Sequence, residues 1–227
     1  MNKMIPVAAL AAVAAVAGGF TMTTTGAPEI AVAPTAVAQE ADATTTEAPA
    51  EAADVQEMVL GAEDAPVTVI EYASFTCPHC ADFHETSFDQ LKADYIDTGK
   101  VRFIYREVYF DRPGLWASMV ARCGGAEKFF PIAGMIYDTQ NQWLSGGSGE
   151  AIAGALRRIG LTAGLDGAQI DACLSDAATA QALYARFEET TEADGITATP
   201  TFVIDGEAVA NKPYPQIAAD IDAALGE

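Results

Sequence analysis

The sequence predicts an α/β domain in which a β-α-β half and a β-β-α half share one sheet, with an all-helical insertion between them. Three observations carry this. The β-branched run Val67-Thr68-Val69-Ile70-Glu71-Tyr72 leads through a turn into a helical stretch, and then to a second such run, Val101-Arg102-Phe103-Ile104-Tyr105. A long block of helical patterning follows, spanning residues 113–194. Finally, Thr201-Phe202-Val203-Ile204 and Glu207-Ala208-Val209 flank Asp205-Gly206, a two-residue hairpin connection.

The elements follow in order. The first run comes after Pro66 and reads as a buried strand. The helix that starts after Ser74–Cys77 has apolar positions at Phe83, Phe88 and Leu91 and ends near Gly99. A right-handed crossover then sets the strands on either side of it parallel. The insertion divides into Leu115–Cys123, Phe129–Tyr137, Glu150–Ile159, Gly167–Leu174 and Ala177–Ala193, and Trp116, Phe129, Phe130 and Trp143 read as its core. A last helix, Pro215 to Leu225, sets Ile217, Ala218, Ile221 and Leu225 on one face. Neither half buries its strands alone, so together they are expected to form one four-stranded sheet covered by helices.

The chain of 227 residues has 12 Lys+Arg against 32 Asp+Glu, a formal net charge of −20. Residues 57–227 hold 26 of the acidic and 11 of the basic residues, so the acidity belongs to the domain itself. Most nucleic-acid binding is ruled out, because the phosphate contribution needs clustered Lys/Arg and none is present. Anionic lipid is disfavoured on the same ground.

Residues 1–20 read as an export signal: Lys3, then the apolar run from Ile5 to Ala17, interrupted by Pro6. Ala15-Val16-Ala17 and Ala36-Val37-Ala38 both offer a small-x-small cleavage site, and the sequence does not choose between them. An uncleaved anchor is the rival reading, but a membrane span needs about 20 apolar residues and this run is shorter. Residues 21–56, mostly Thr, Ala, Pro, Glu and Val, bury too little to offset their ordering entropy and read as a disordered linker. The domain is expected at 57–227, in an oxidising, periplasmic compartment where cysteines pair.

Cys77-Pro78-His79-Cys80 lies between a strand and a helix. A thiolate on Cys77 there faces the unpaired N–H groups and the positive end of the helix, and a protonated His79 adds a second favourable charge. Pro78 suits the first helical turn, where its missing N–H costs nothing. Cys80, one turn on, is within disulfide reach. The chemistry that follows is thiol–disulfide exchange: a substrate thiolate attacks Cys77, and Cys80 resolves the mixed disulfide. A structural bridge is the plainer alternative, but so short a loop gains little from closure. A metal module could use Cys77, Cys80 and His84, yet a fourth ligand at standard spacing is missing. Haem attachment needs His where Ala81 stands, and a Cys–His hydrolase needs a distant His. His84 otherwise reads as a surface helix residue. No bound cofactor or metal is expected.

The run Gly61-Ala62-Glu63-Asp64-Ala65-Pro66-Val67, continued by Phe75-Thr76-Cys77-Pro78-His79-Cys80, and the strand entry Ala198-Thr199-Pro200-Thr201-Phe202 resemble the DsbA family of thiol:disulfide oxidoreductases, which have the thioredoxin-like fold. The resemblance covers about residues 58–225. It implies that Pro200 is cis and sits against the active-site pair, with the Thr199 backbone holding an extended substrate chain. It also implies a buried acid beneath the site at the position of Glu71, where it would help move the resolving thiol's proton; Glu71 is expected partly buried. A DsbB-type membrane partner, linked to quinone, is implied as the oxidant. Thr199 stands where some oxidising members have Val, and its hydroxyl is expected to bond the Cys77 sulfur and tune its potential. In an exported protein with four cysteines, Cys123 and Cys173 read as a second, structural disulfide or, alternatively, as two buried thiols.

The function expected is therefore disulfide donation to exported proteins as they fold, by a monomer. The rivals are a disulfide isomerase or reductase of the same fold and the metal-binding module.

Overall fold

The structure is a computed structural model, and it describes residues 55–227. The expected signal and all but the last two residues of the expected linker lie outside these. Within them the order is β1 (Met58–Leu60), β2 (Val67–Ala73), α1 (Pro78–Phe83), a π-helical stretch (His84–Phe88), α2 (Asp89–Leu91), a second π-helical stretch (Lys92–Ile96) and β3 (Val101–Glu107). The insertion follows as α3 (Arg112–Arg122), α4 (Ala126–Asp138), α5 (Gln140–Leu144), α6 (Gly149–Thr162), α7 (Gly167–Ser175) and α8 (Ala177–Ala193). Then β4 (Thr201–Ile204), β5 (Glu207–Ala210) and α9 (Tyr214–Leu225) close the chain.

The sheet has five strands in the order β1-β3-β2-β4-β5, not the expected four. β2 and β3 are parallel, with Glu71 opposite Tyr105, as a right-handed crossover requires. β4 runs antiparallel to β2, with Glu71 opposite Phe202. The added strand, β1, pairs antiparallel with β3 through Met58 and Tyr105. It is three residues long, too short for an alternation to show. Behind it, Gly61 takes φ +90, and a Cβ there would meet the Val101 carbonyl at 2.4 Å, so the chain can pass the strand end only as glycine. Val55 packs against Tyr109, Met119 and Leu183, and the Gln56 carbonyl accepts from Arg122 Nη1 at 2.7 Å. These two residues, read as linker, are already part of the fold.

β2 is central, so both its faces are covered. Val67, Val69, Glu71 and Ala73 share one face and are buried; the opposite face contributes buried Tyr72. The main core joins that first face to Leu91, Phe103 and Ile217, and to Phe129, Ile132 and Trp143 of the insertion. The turn at Asp205-Gly206 has positive φ at both residues, 46° and 89°, matching the right-handed twist of its strands.

Candidate active site

Cys77 ends the turn after β2 and stands immediately before α1, its backbone still extended at φ −81 and ψ 120. Pro78 is the first helical residue. The Cys77 amide donates to the Ser74 carbonyl at 3.0 Å, which fixes the turn. Both Cys77 and Cys80 are free thiols here, and they differ in access: Cys77 keeps 8% of its surface exposed and Cys80 none.

Their acidities are driven apart. The Cys77 thiol is lowered from 9.0 to about 5, chiefly because the Cys80 thiol hydrogen-bonds the thiolate. Burial opposes this; the Thr199 side chain and the backbone N–H groups of Cys80 and His79 add to it. Cys80 is pushed far up, first by burial, then by the hydrogen bond it gives Cys77 and by the charge of Glu71. His79 thus acts on Cys77 through its backbone N–H, and its ring lies exposed at the surface.

The Thr199-Pro200 peptide bond is cis, and Pro200 is buried. Cys77 Sγ donates to the Thr199 carbonyl oxygen at 3.4 Å. The expected bond from the Thr199 hydroxyl is therefore only part of the contact: the thiol gives its proton to the carbonyl, and the hydroxyl side chain favours the thiolate.

Glu71 is fully buried, more deeply than expected. Its Oε2 lies 3.0 Å from His84 Nε2, and its Oε1 is buried with no partner. His84 is not a surface residue; its side chain is 6% exposed and stacks on Tyr137 at 4.3 Å and Phe88 at 4.7 Å. The signal for this was present in the sequence, since His84 is four residues beyond buried Cys80 and shares its helix face. Directed at Glu71, the ring is not available as the third ligand of a Cys77/Cys80 metal site. Among the described residues no three His, Cys, Asp or Glu side chains gather as metal ligands.

Sequence reasoning missed Gln140. It is 4% exposed, and its Nε2 donates to the carbonyls of Phe75 and Cys77, both at 2.9 Å. An insertion side chain thereby holds the turn that carries Cys77. Nothing in a five-residue helix without apolar period announces this role. Away from the site, Cys123 and Cys173 form a disulfide between the ends of α3 and α7.

A family model described as Thioredoxin matches residues 53–223. A putative protein-disulfide oxidoreductase of Rickettsia bellii is 35% identical over 175 residues, covering 77% of this chain and 66% of that protein. Its counterpart in Rickettsia felis is 33% identical over 175 residues, covering 77% and 62%. The chain thus spans a little under two thirds of the length of these relatives. Among solved structures, alpha-DsbA1 of Wolbachia pipientis matches with a TM-score of 0.67 and 28% identity over 75% of this chain and 92% of that one. A protein-disulfide isomerase from Novosphingobium aromaticivorans matches with a TM-score of 0.67 and 27% identity, over 73% and 97%. With an accessible acidic cysteine one helical turn from a buried one, and a cis-proline loop against them, this chain belongs to the thioredoxin family and has DsbA-type proteins among its structural neighbours.

Proposed function

We propose that the chain is an exported oxidase that donates the Cys77–Cys80 disulfide to proteins folding outside the cytoplasm. The observation behind this is the asymmetry of the pair: one sulfur reachable and stabilised as thiolate, the other sealed behind it. A substrate thiolate attacks Cys77 Sγ because only that sulfur is accessible. The Cys77–Cys80 bond breaks, and Cys80 leaves with the electron pair and takes up a proton. A second substrate thiolate then attacks the first substrate sulfur, and Cys77 leaves as thiolate. Every group that favours that thiolate favours the reduced enzyme, so the oxidised form is a strong donor.

Thr199 and Pro200 are positioned to receive an extended substrate segment beside Cys77, and recharging by a quinone-linked membrane partner of the DsbB type completes the cycle. The export-type N-terminus supports the location. Among the described residues no helix is long and apolar enough to cross a membrane.

Thr199 before the cis-proline favours a second reading, an isomerase or reductase kept reduced; a solved relative bears the name protein-disulfide isomerase. The equilibrium potential of Cys77–Cys80 against glutathione separates the two. Donation predicts a value between about −120 and −150 mV, and a value below about −200 mV would overturn it.

A further inference from the structure

We propose that His84 links buried Glu71 to solvent and thereby carries the proton that Cys80 gains and loses in each exchange. This rests on the reading of Cys77–Cys80 as an exchange pair.

Cys80 cannot trade protons with water directly, since it is fully buried. The carboxylate whose charge acts on Cys80 is Glu71. Glu71 is itself fully buried, with Oε1 unpartnered and Oε2 on His84 Nε2. A sealed carboxyl oxygen without a donor costs stability, and a place kept for a transferred proton gives it a use. Of the pair, only His84 retains exposure, 6% against none. Tyr137 and Phe88 cover both ring faces, so the opening lies at the ring edge.

The other groups around Glu71 are silent. From β3, Tyr105 holds its proton through burial, and Glu107 is paired with Arg122 of α3 at 2.5 Å. From α4, Tyr137 shares a hydrogen bond of 2.5 Å with Tyr105 and is likewise pushed well up by burial. β4 contributes apolar Phe202 opposite Glu71. The route left is Cys80, Glu71, His84, water.

In recharging, Cys80 Sγ–H gives its proton to Glu71 Oε1, and the thiolate attacks Cys77 Sγ of a mixed disulfide. The Cys77–Cys80 bond forms, the bond from Cys77 to the oxidant's sulfur breaks, and that sulfur leaves as thiolate. Rotation of the carboxyl group brings that proton to the oxygen against His84, Nε2 of the ring in its Nδ1–H tautomer takes it, and the ring releases the Nδ1 proton to water. His84 touches no reacting sulfur, so it is a positioning residue acting through Glu71.

The test mixes the reduced full chain with oxidised glutathione, quenches with acid, and follows by mass the Cys77–glutathione adduct across the neutral pH range. His84→Gln keeps a hydrogen-bonding group near Glu71 but cannot titrate, and His84→Phe fills the aromatic cage; together they guard against a folding defect. Both, like Glu71→Gln, should accumulate the adduct, with its resolution slowed at least about tenfold and its pH dependence flattened. The Cys77 thiolate titration, read by ultraviolet absorbance, should stay near 5 in the histidine variants, which a disturbed site would not allow. Wild-type resolution rates in both histidine variants would overturn the relay, even if Glu71→Gln is slow. If the wild-type chain forms no adduct at Cys77, the exchange reading itself fails.

Discussion

Cys77 and Cys80 are three positions apart, yet one is lowered to about 5 and the other raised beyond any working pH. Desolvation acts against both thiolates, but Cys77 has the Cys80 thiol, Thr199 and two helix-start amides arranged around it, whereas Cys80 has the Ser74 backbone alone against burial and the charge of Glu71. The sign follows directly. A depressed thiol stabilises the folded reduced form fully above its ordinary value of 9.0, and that contribution is lost as pH falls through about 5. The measurable consequence is a break in the potential. Below pH 5 reduction takes up two protons, and above it one, so the slope should change from about 60 to about 30 mV per pH unit. Potentials taken against glutathione at several pH values check this, and a single slope through pH 5 would contradict the low Cys77 value. His84 shows what pattern reading needs at this scale. Treated as one member of an exposed helix it looked like a surface residue, whereas its i,i+4 relation to Cys80 places it inside.

At the scale of elements, the strands and long helices were legible because each repeats a physical period several times. β2, β3 and α8 carry enough residues for burial to imprint alternation or a helical stripe. β1 and α5 were not, because three and five residues hold no period. The two π-helical stretches between Phe83 and Asp97 were hidden too, since each shifts the helix phase without changing composition. The site divides the same way. Cys77, Pro78 and Cys80 were readable from their place between strand and helix, and Pro200 from a family likeness. Gln140 was not, because its partners are backbone carbonyls 65 and 63 residues away, which no local pattern records. That clamp is testable. Gln140→Leu keeps the volume and removes both donors, leaving the Phe75 and Cys77 carbonyls buried with less than their due, so roughly 1–3 kcal/mol of stability should be lost. Chemical denaturation measures this, and the freed turn should also raise the Cys77 thiol above about 5. A stable variant with an unmoved thiol would show that the turn holds itself.

For the whole molecule, the question is how an insertion of five turns and six helices stays in register with the sheet it must clamp. Part of the answer is apolar: Phe129, Ile132, Ile136, Leu156 and Ile170 are all fully buried in the main core. Part is polar. Arg106 and Arg186 both hold Glu57, and Arg106 also reaches Asp194, tying β3 and α8 to the entry of the domain. The remainder is covalent, since the Cys123–Cys173 bond ties α3 to α7 across a separation of 50 residues. In the chain-entropy description, a loop of that length stabilises by about 4 kcal/mol. Replacing both cysteines by alanine should therefore lower the melting temperature by about 10 °C in a domain of this size. The two disulfides of the oxidised chain should also separate under mild reductant. Cys77 is a good leaving group because its thiolate is stabilised, whereas Cys123 and Cys173 have no such donors arranged for them, so Cys77–Cys80 opens first. Alkylation of freed thiols followed by mass mapping reads the order. Early labelling of Cys123 or Cys173 would mean that this bond is an exchange partner in its own right, and that the insertion takes part in the chemistry it otherwise only supports.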